Sequence, residues 1–352
     1  MKNKIKLAVL IAAIAAAALA FGQSRSTAQT QVVTAGQKFK NIKVLNDMPA
    51  DQLGKVMNMM SASLGFKCSG CHVSGDKDFE KDDNEHKVIA RKMLTMTFGI
   101  NKQFFDGKTE VTCNTCHNGH ERPTAVPNLS AVEHAVERPK QPAVKPTAEQ
   151  ILAAYAKALG SATITSRVIT ASRVEPDGKT TEPENVTQAP GKIRVETKYG
   201  DYVVVEGTNG TTTWKTGGGS PIELKADEAE QIKREAQLFG NADLAKIYTK
   251  LEYRFLDRLD GREVYIVIGT LADNSRERLF FDVASGLLVR RIASAQTVLG
   301  AFQYQIDYSD YKDFGGVKLP TTTRFAVPNI SWTRKIADVK INAKIDEKTF
   351  SK

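Results

Sequence analysis

Hydrophobic positions along the chain change rhythm from one region to the next. Lys2, Lys4 and Lys6 precede an apolar run over residues 7–20, and a polar stretch follows to about Gly36. A helical period then takes over. Leu53, Val56, Met57, Met60 and Leu64 recur at the three- and four-residue spacing that lines one helix face, and Ile89, Met93, Met96 and Ile100 repeat the stripe. Pro123, Pro127, Pro139, Pro142 and Pro146 next interrupt helix and strand alike, predicting a semi-extended linker or a proline-rich loop laid against the protein. After a short helix over 148–159 the period falls to two. Strands are expected at 163–173, 192–197, 202–206, 211–215, 251–257, 263–270, 276–282, 287–292, 302–311, 317–325 and 332–341, with one helix over 226–239. Turns such as Asp177-Gly178, Asp260-Gly261 and Ala284-Ser285-Gly286 suit hairpins.

These rhythms predict a multidomain chain, all-α in its N-terminal module and mainly antiparallel β in its C-terminal part. The expected boundaries are a leader at 1–20, a helical module at 37–122, a linker at 123–147 and a β-rich domain at 148–352. A length of 352 residues agrees, since one domain per about 150 residues is a fair prior. The leader has a basic start, an apolar run and a small-residue site at Ala18-Leu19-Ala20, the layout of a signal peptide. Its apolar run falls short of the about 20 residues a membrane span needs, so cleavage and export to a periplasm are expected, with retention as a membrane anchor the alternative. No cysteine follows it to carry a lipid. Losing the three lysines lowers the net charge from +9 to +6, and no Lys/Arg tract is present, which argues against nucleic acid as a partner.

All four cysteines fall in two Cys-x-x-Cys-His segments, Cys68-Ser-Gly-Cys71-His72 and Cys113-Asn-Thr-Cys116-His117. In such a segment each thiol can add across one haem vinyl group, and the adjacent histidine becomes an axial iron ligand. Two covalently bound c-type haems are therefore expected. Two disulfides would leave the paired histidines without a reason. A zinc ribbon wants its Cys pairs about 15 to 20 residues apart, whereas 41 residues separate Cys71 from Cys113.

A six-coordinate haem needs a second axial ligand, and each methionine stripe precedes one attachment segment. Met57 with Met60 and Met93 with Met96 form Met-x-x-Met pairs, so the two units read as an internal repeat. Met57 and Met93 are the preferred ligands over Met60 and Met96. One methionine of each pair belongs to the core, where a flexible thioether fills gaps. His86, a possible substitute ligand, His120 and His134 are otherwise expected to be exposed or locally hydrogen-bonded.

Over residues 41–123 the chain resembles the photosynthetic reaction-centre cytochrome c subunit family. The likeness rests on Met57-Asn-Met-Met60, Leu64-Gly65 before the first attachment segment, Ile89-Ala-Arg-Lys-Met93-Leu-Thr-Met96 with Ile100-Asn101, and Val111-Thr112-Cys113 through His117-Asn118-Gly119. The resemblance implies Met57 and Met93 as iron ligands opposite His72 and His117. That family carries four haems as two such pairs, and here there is one pair. The stretch 101–108 lacks the histidine that would serve a further bis-histidine haem. The C-terminal part is similar to the LolA-like lipoprotein-carrier fold through Asp257-Arg-Leu-Asp-Gly-Arg262, the segment Leu279 to Leu288 and Tyr308-Ser-Asp-Tyr311. That implies a curved half-barrel over helices, able to hold an apolar ligand.

The function these features favour is a periplasmic carrier passing electrons between redox protein partners or a membrane electron-transfer complex. The alternatives are a lipid- or quinone-binding redox sensor or carrier using the β domain, and a dihaem peroxidase with an open sixth position. No nucleophile triad, phosphate loop or catalytic carboxylate pair is evident. Asp76, Asp78, Glu80, Asp82, Asp83 and Glu85 form either a solvated loop or a docking edge for a basic partner.

Overall fold

The structure, a computed structural model, describes residues 32–73, 78–123, 139–160, 163–224, 226–237 and 244–352. The expected leader, linker positions 124–138, Asp76 and His134 lie outside the described residues. The chain divides into two compact units between Ala50 and Asp51. In the first, helix α1 (Ala35–Lys38) follows Thr34, whose N–H donates to Gln37 Oε1 at 2.9 Å. Ala35 N–H donates to Met48 O at 2.7 Å and Ala50 N–H to Val33 O at 2.9 Å, folding the segment over the buried side chains of Leu45 and Met48.

The second unit begins with helices α2 (Leu53–Leu64), α3 (Glu85–Phe104) and the short α4 (Cys113–His117). The stretch between α3 and α4 is neither helix nor strand, and Cys68–Gly70 is a single 3₁₀ turn, so the N-terminal segment is less continuously helical than its apolar rhythm predicts. Helix α5 (Ala148–Leu159) opens the β-rich part, which also contains α6 (Ala226–Gln237) and α7 (Leu244–Ile247).

Among the described residues thirteen strands form one antiparallel sheet: β1 (Arg167–Val174), β2 (Thr180–Ala189), β3 (Lys192–Tyr199), β4 (Tyr202–Thr208), β5 (Thr213–Gly217), β6 (Ser220–Pro221), β7 (Lys250–Leu259), β8 (Arg262–Thr270), β9 (Arg276–Asp282), β10 (Leu288–Thr297), β11 (Gly300–Asp313), β12 (Lys318–Val327) and β13 (Ile330–Ile341). Strands β1 to β6 make one meander and β7 to β13 another. The only neighbours not consecutive in sequence are β1 and β13, with Arg167 opposite Ile341. The sheet is open, with β6 and β7 at its edges.

Strand β3 shows why the pattern works: Ile193, Val195 and Thr197 turn inward and the residues between them outward. Helix α5 buries Ala148 and Ile151 against Val267, Leu279, Phe281 and Leu288. Helix α6 presses Ile232 and Ala236 onto Ile169, Ala171, Val186, Ile193 and Val195.

Two strands depart from expectation, β6 because it is two residues long and β2 because its inward residues are polar. Glu184, Val186 and Gln188 of β2 are all at most 3 % exposed. Arg334 on β13 binds Glu184 through Nε and Nη2, Arg167 Nε donates to Gln188 Oε1 at 2.5 Å, and Gln188 Nε2 donates to Glu235 O on α6 at 3.1 Å. Burial and the nearby Arg334 charge push the Arg167 guanidinium down to about 10. Pro183 sits at the shift in register with β1 and beyond the ladder with β3, where its missing N–H costs no ladder bond.

A second buried ionic group lies under α6. Glu277, 1 % exposed, receives Arg234 from that helix, accepts from Tyr248 Oη at 2.5 Å and faces Arg291 Nη1 at 3.7 Å. Removing one partner of such a group leaves uncompensated buried charge. Glu277→Ala is expected to lower stability by about 3 to 5 kcal/mol in urea unfolding. Glu252→Ala, at the exposed Lys250 pair 3.0 Å apart, should stay within about 0.5 kcal/mol of the parent.

Candidate functional site

Helices α2, α3 and α4 carry or flank both Cys-x-x-Cys-His segments, and α2 and α3 both pack on α4. Helix α2 buries Val56, Ser61 and Ser63 and leaves Met57 and Met60 half-buried. It stops at Gly65, whose φ of +68° suits a residue without Cβ and whose N–H returns to Ser61 O. A Cβ on Gly65 would stand 2.4 Å from Gly119 O, while Gly119 N–H donates to Ser63 O at 2.8 Å. The end of α2 is thus fastened to the residues just after the second attachment segment.

In the first segment, His72 N–H donates to Cys68 O at 3.0 Å, wrapping the five residues into a tight turn. The His72 ring meets Phe79 edge-on at 4.9 Å, and its Nδ1 is buried with no hydrogen-bond partner among the described residues. Burial holds this imidazole below its usual range, the Lys87 charge adds to that, and a backbone bond to Phe79 opposes it in part. The neutral ring is the form that can bind iron. In the second segment His117 Nδ1 lies 3.0 Å from His120 O. With Nδ1–H committed to that carbonyl, Nε2 is the free donor atom, the arrangement typical of ligating histidines.

Helix α3 has two unlike faces. Leu94, Thr97 and Asn101 are buried, whereas the apolar stripe is open, with Ile89 45 %, Met93 36 % and Met96 47 % exposed. Asn101 grips the strandless loop beyond: its Nδ2 donates to Val111 O at 2.7 Å and its Oδ1 accepts Val111 N–H at 2.9 Å. Val111 stands two residues before Cys113, so this amide sets the approach to the second segment.

His86, weighed from sequence as a substitute ligand, has another place. Its Nδ1 lies 3.0 Å from Gly70 O, its Nε2 3.6 Å from Glu121 Oε1, and its ring packs on Phe66 at 5.5 Å. Asn84, the N-cap of α3, also donates to Gly70 O at 3.1 Å. His86 therefore ties the first attachment turn to the residues after the second. Sequence reasoning missed the bridging roles of His86, Asn101, Ser63 and Gly119, which carry no local signal of their own.

The acidic run is partly neutralised within itself. Asp78 pairs with Lys81 at 3.0 Å, and Asp82 with Arg91 at 2.8 Å and Lys87 at 3.4 Å. Asp83 and Glu85 stay exposed.

These residues fit a covalently held haem. Cys68, Cys71, Cys113 and Cys116 are all free thiols, and burial pushes Cys71 and Cys113 up, keeping them protonated. Among the described residues no three His, Cys, Asp or Glu side chains gather as a cage for a bare metal ion. The uncovered stripe of α3 is a feature that a flat apolar ring would complete.

Such a pair of attachment segments defines the c-type cytochromes. The chain belongs to the photosynthetic reaction centre cytochrome C subunit family, whose model matches residues 4–203. It is similar to the photosynthetic reaction center cytochrome c subunit of Roseobacter denitrificans, 34 % identical over 97 residues, covering 25 % of this chain and 26 % of that one. The Rubrivivax gelatinosus subunit is 33 % identical over 100 residues, covering 26 % and 27 %. Cytochrome c-554 of Chloroflexus aurantiacus is 32 % identical over 84 residues, covering 22 % and 20 %. The chain thus spans about a quarter of the length of these curated relatives. Among solved structures it is similar to the LolA superfamily protein NE2245 of Nitrosomonas europaea, with 15 % identity, coverage of 59 % of this chain and 98 % of that one, and a TM-score of 0.41. No helix among the described residues is long and apolar enough to cross a membrane.

Asn101→Ala removes two hydrogen bonds to one backbone unit and is expected to lower stability by about 2 kcal/mol in chemical unfolding of the haem-loaded protein. Lys102→Ala on the exposed side should change it by no more than about 0.5 kcal/mol.

Proposed function

We propose that this chain is an exported electron carrier holding two c-type haems, one at Cys68 and Cys71 and one at Cys113 and Cys116. His72 and His117 supply one axial ligand each, and Met57 and Met93 the other. Residues 37–122 serve as the haem module, 123–147 as a linker and 148–352 as the β domain. When bound, each haem supplies a one-electron Fe(III)/Fe(II) couple, and methionine ligation favours the reduced form. The chain's part is to hold the iron six-coordinate and shielded, so no substrate needs to reach the metal.

The observation that carries this reading is the inverted packing of α3. A helix that buries Leu94, Thr97 and Asn101 while exposing Ile89, Met93 and Met96 has an apolar face that the described residues do not cover. A haem that Met93 would help to hold answers that need. Neutral His72 and the free Nε2 of His117 support the histidine assignments. The partners are redox proteins or a membrane electron-transfer complex, and the periplasm is the compartment that signal cleavage would give.

A second reading rests on the β domain. A cavity of about 220 Å³ lies between α6 and the sheet, lined by Ile232, Glu235, Tyr304, Phe325, Trp332 and Arg334 among others. In that reading a small apolar ligand, a lipid or a quinone, occupies it and the haems report on it. Retention of such a ligand through purification would favour this reading over simple electron carriage.

The test is to produce the protein with haem-attachment machinery and record haem content, oxidised and reduced spectra and carbon monoxide binding. Two haems per chain, both low-spin and indifferent to carbon monoxide, are expected; a carbon-monoxide-reactive haem would instead favour a peroxidase. Met57→Ala and Met93→Ala should each turn one haem high-spin and abolish its methionine-to-iron band. Unchanged spectra in both variants would sink the ligand assignment.

A further inference from the structure

The sheet reaches the haem module through alternate turns of one meander. In an up-and-down meander the β10–β11 and β12–β13 turns fall at the same end of the sheet, and helix α2 meets residues of both. At the β12–β13 turn, Pro328-Asn329, the asparagine takes a φ of +68° and its Nδ2 donates to Ser61 Oγ at 2.8 Å. Ser61, 8 % exposed, donates its hydroxyl hydrogen bond to Phe66 O, two residues before Cys68. Phe66 N–H in turn donates to Ser61 O at 3.1 Å. At the β10–β11 turn, buried Thr297 donates to Gly300 O at 2.8 Å, and the same hydroxyl oxygen lies 3.5 Å from Met59 Sδ. Met59 is thereby held toward the sheet, on a different face of α2 from Met57.

Resting on the methionine-ligand reading above, we infer that Asn329, acting through Ser61, is a positioning residue for the first haem. The sheet sets the register of α2 and the attachment turn together, and so sets the potential of the haem that Met57 serves more strongly than that of the second haem, which α2 reaches through the Ser63–Gly119 contact. Ser61 is one helical turn from Met57, and Phe66 leads directly into the cysteines, so one side-chain amide governs both faces of the same iron site. Asn329 itself touches neither the cysteines nor the ligands. Its effect is indirect.

The test uses the haem-loaded protein and Asn329→Gly, which keeps the left-handed turn while deleting the amide. Asn274→Gly is the control, because Asn274 has a φ of +65° in an exposed turn between β8 and β9. Met57→Ala first identifies the haem to be followed. In Asn329→Gly, hydrogen exchange of the α2 amides should quicken about fivefold, the scale set by one net hydrogen bond. The potential of the Met57-dependent haem should fall by more than that of the other haem, with the control unchanged. Unaltered α2 exchange would overturn the latch. Faster exchange with both potentials unmoved, or with both moved equally, would reduce Asn329 to a general structural part and overturn the inference. If Met57→Ala leaves both low-spin spectra intact, the ligand reading beneath the inference has failed, and that is seen in the Met57 variant whatever Asn329→Gly does.

Discussion

Two glycines meeting backbone to backbone are the constraint on which the haem module depends. Gly65 ends α2 in a left-handed turn against the Gly119 carbonyl, and Gly119 N–H closes onto Ser63. A side chain on Gly65 would occupy the carbonyl's place, so the approach exists only because the residue lacks one. Since Gly119 follows the second attachment segment by two residues, this contact joins two pieces of chain far apart in sequence. Asn101 and His86 then complete the frame, one by gripping Val111, the other by spanning Gly70 and Glu121. Each bond ends near a Cys-x-x-Cys-His segment. The frame is polar and backbone-mediated, which frees the apolar stripe of α3 to face outward.

That division of labour explains what could be read from sequence. The stripes of α2 and α3 are visible because helical period shows in side-chain type. What the stripe of α3 faces is not visible, because the same pattern serves a protein core and a prosthetic group equally well. The true buried face of α3, through Thr97 and Asn101, contains too few apolar residues to declare itself. The bridging residues were hidden for a related reason: a histidine or asparagine earns notice as a ligand or a cap, while a bond to a distant carbonyl leaves no local trace.

The sheet gives the complementary case. Most strands alternate as an antiparallel sheet with one covered face requires, and their positions follow from that rhythm. Strand β2 does not, since Glu184 and Gln188 point inward to meet arginines and the backbone of α6. Hydrophobicity reports burial only where burial is apolar. The two ionic groups, around Glu184 and around Glu277, also fix α6 over the sheet through neighbouring residues, Glu235 and Arg234. Misplacing that helix would strand several charges at once, so the groups favour one arrangement over looser apolar packings.

The pairing of β1 with β13 has a consequence in time. Arg167 cannot find Ile341 until β13 has been made, and the turn bearing Asn329 arrives just as late. Contacts between such distant residues form slowly because a long loop must close first. Both cysteine segments are therefore synthesised well before the sheet that braces α2 can be completed. The topology thus leaves the bracing of α2 until last, when β13 docks.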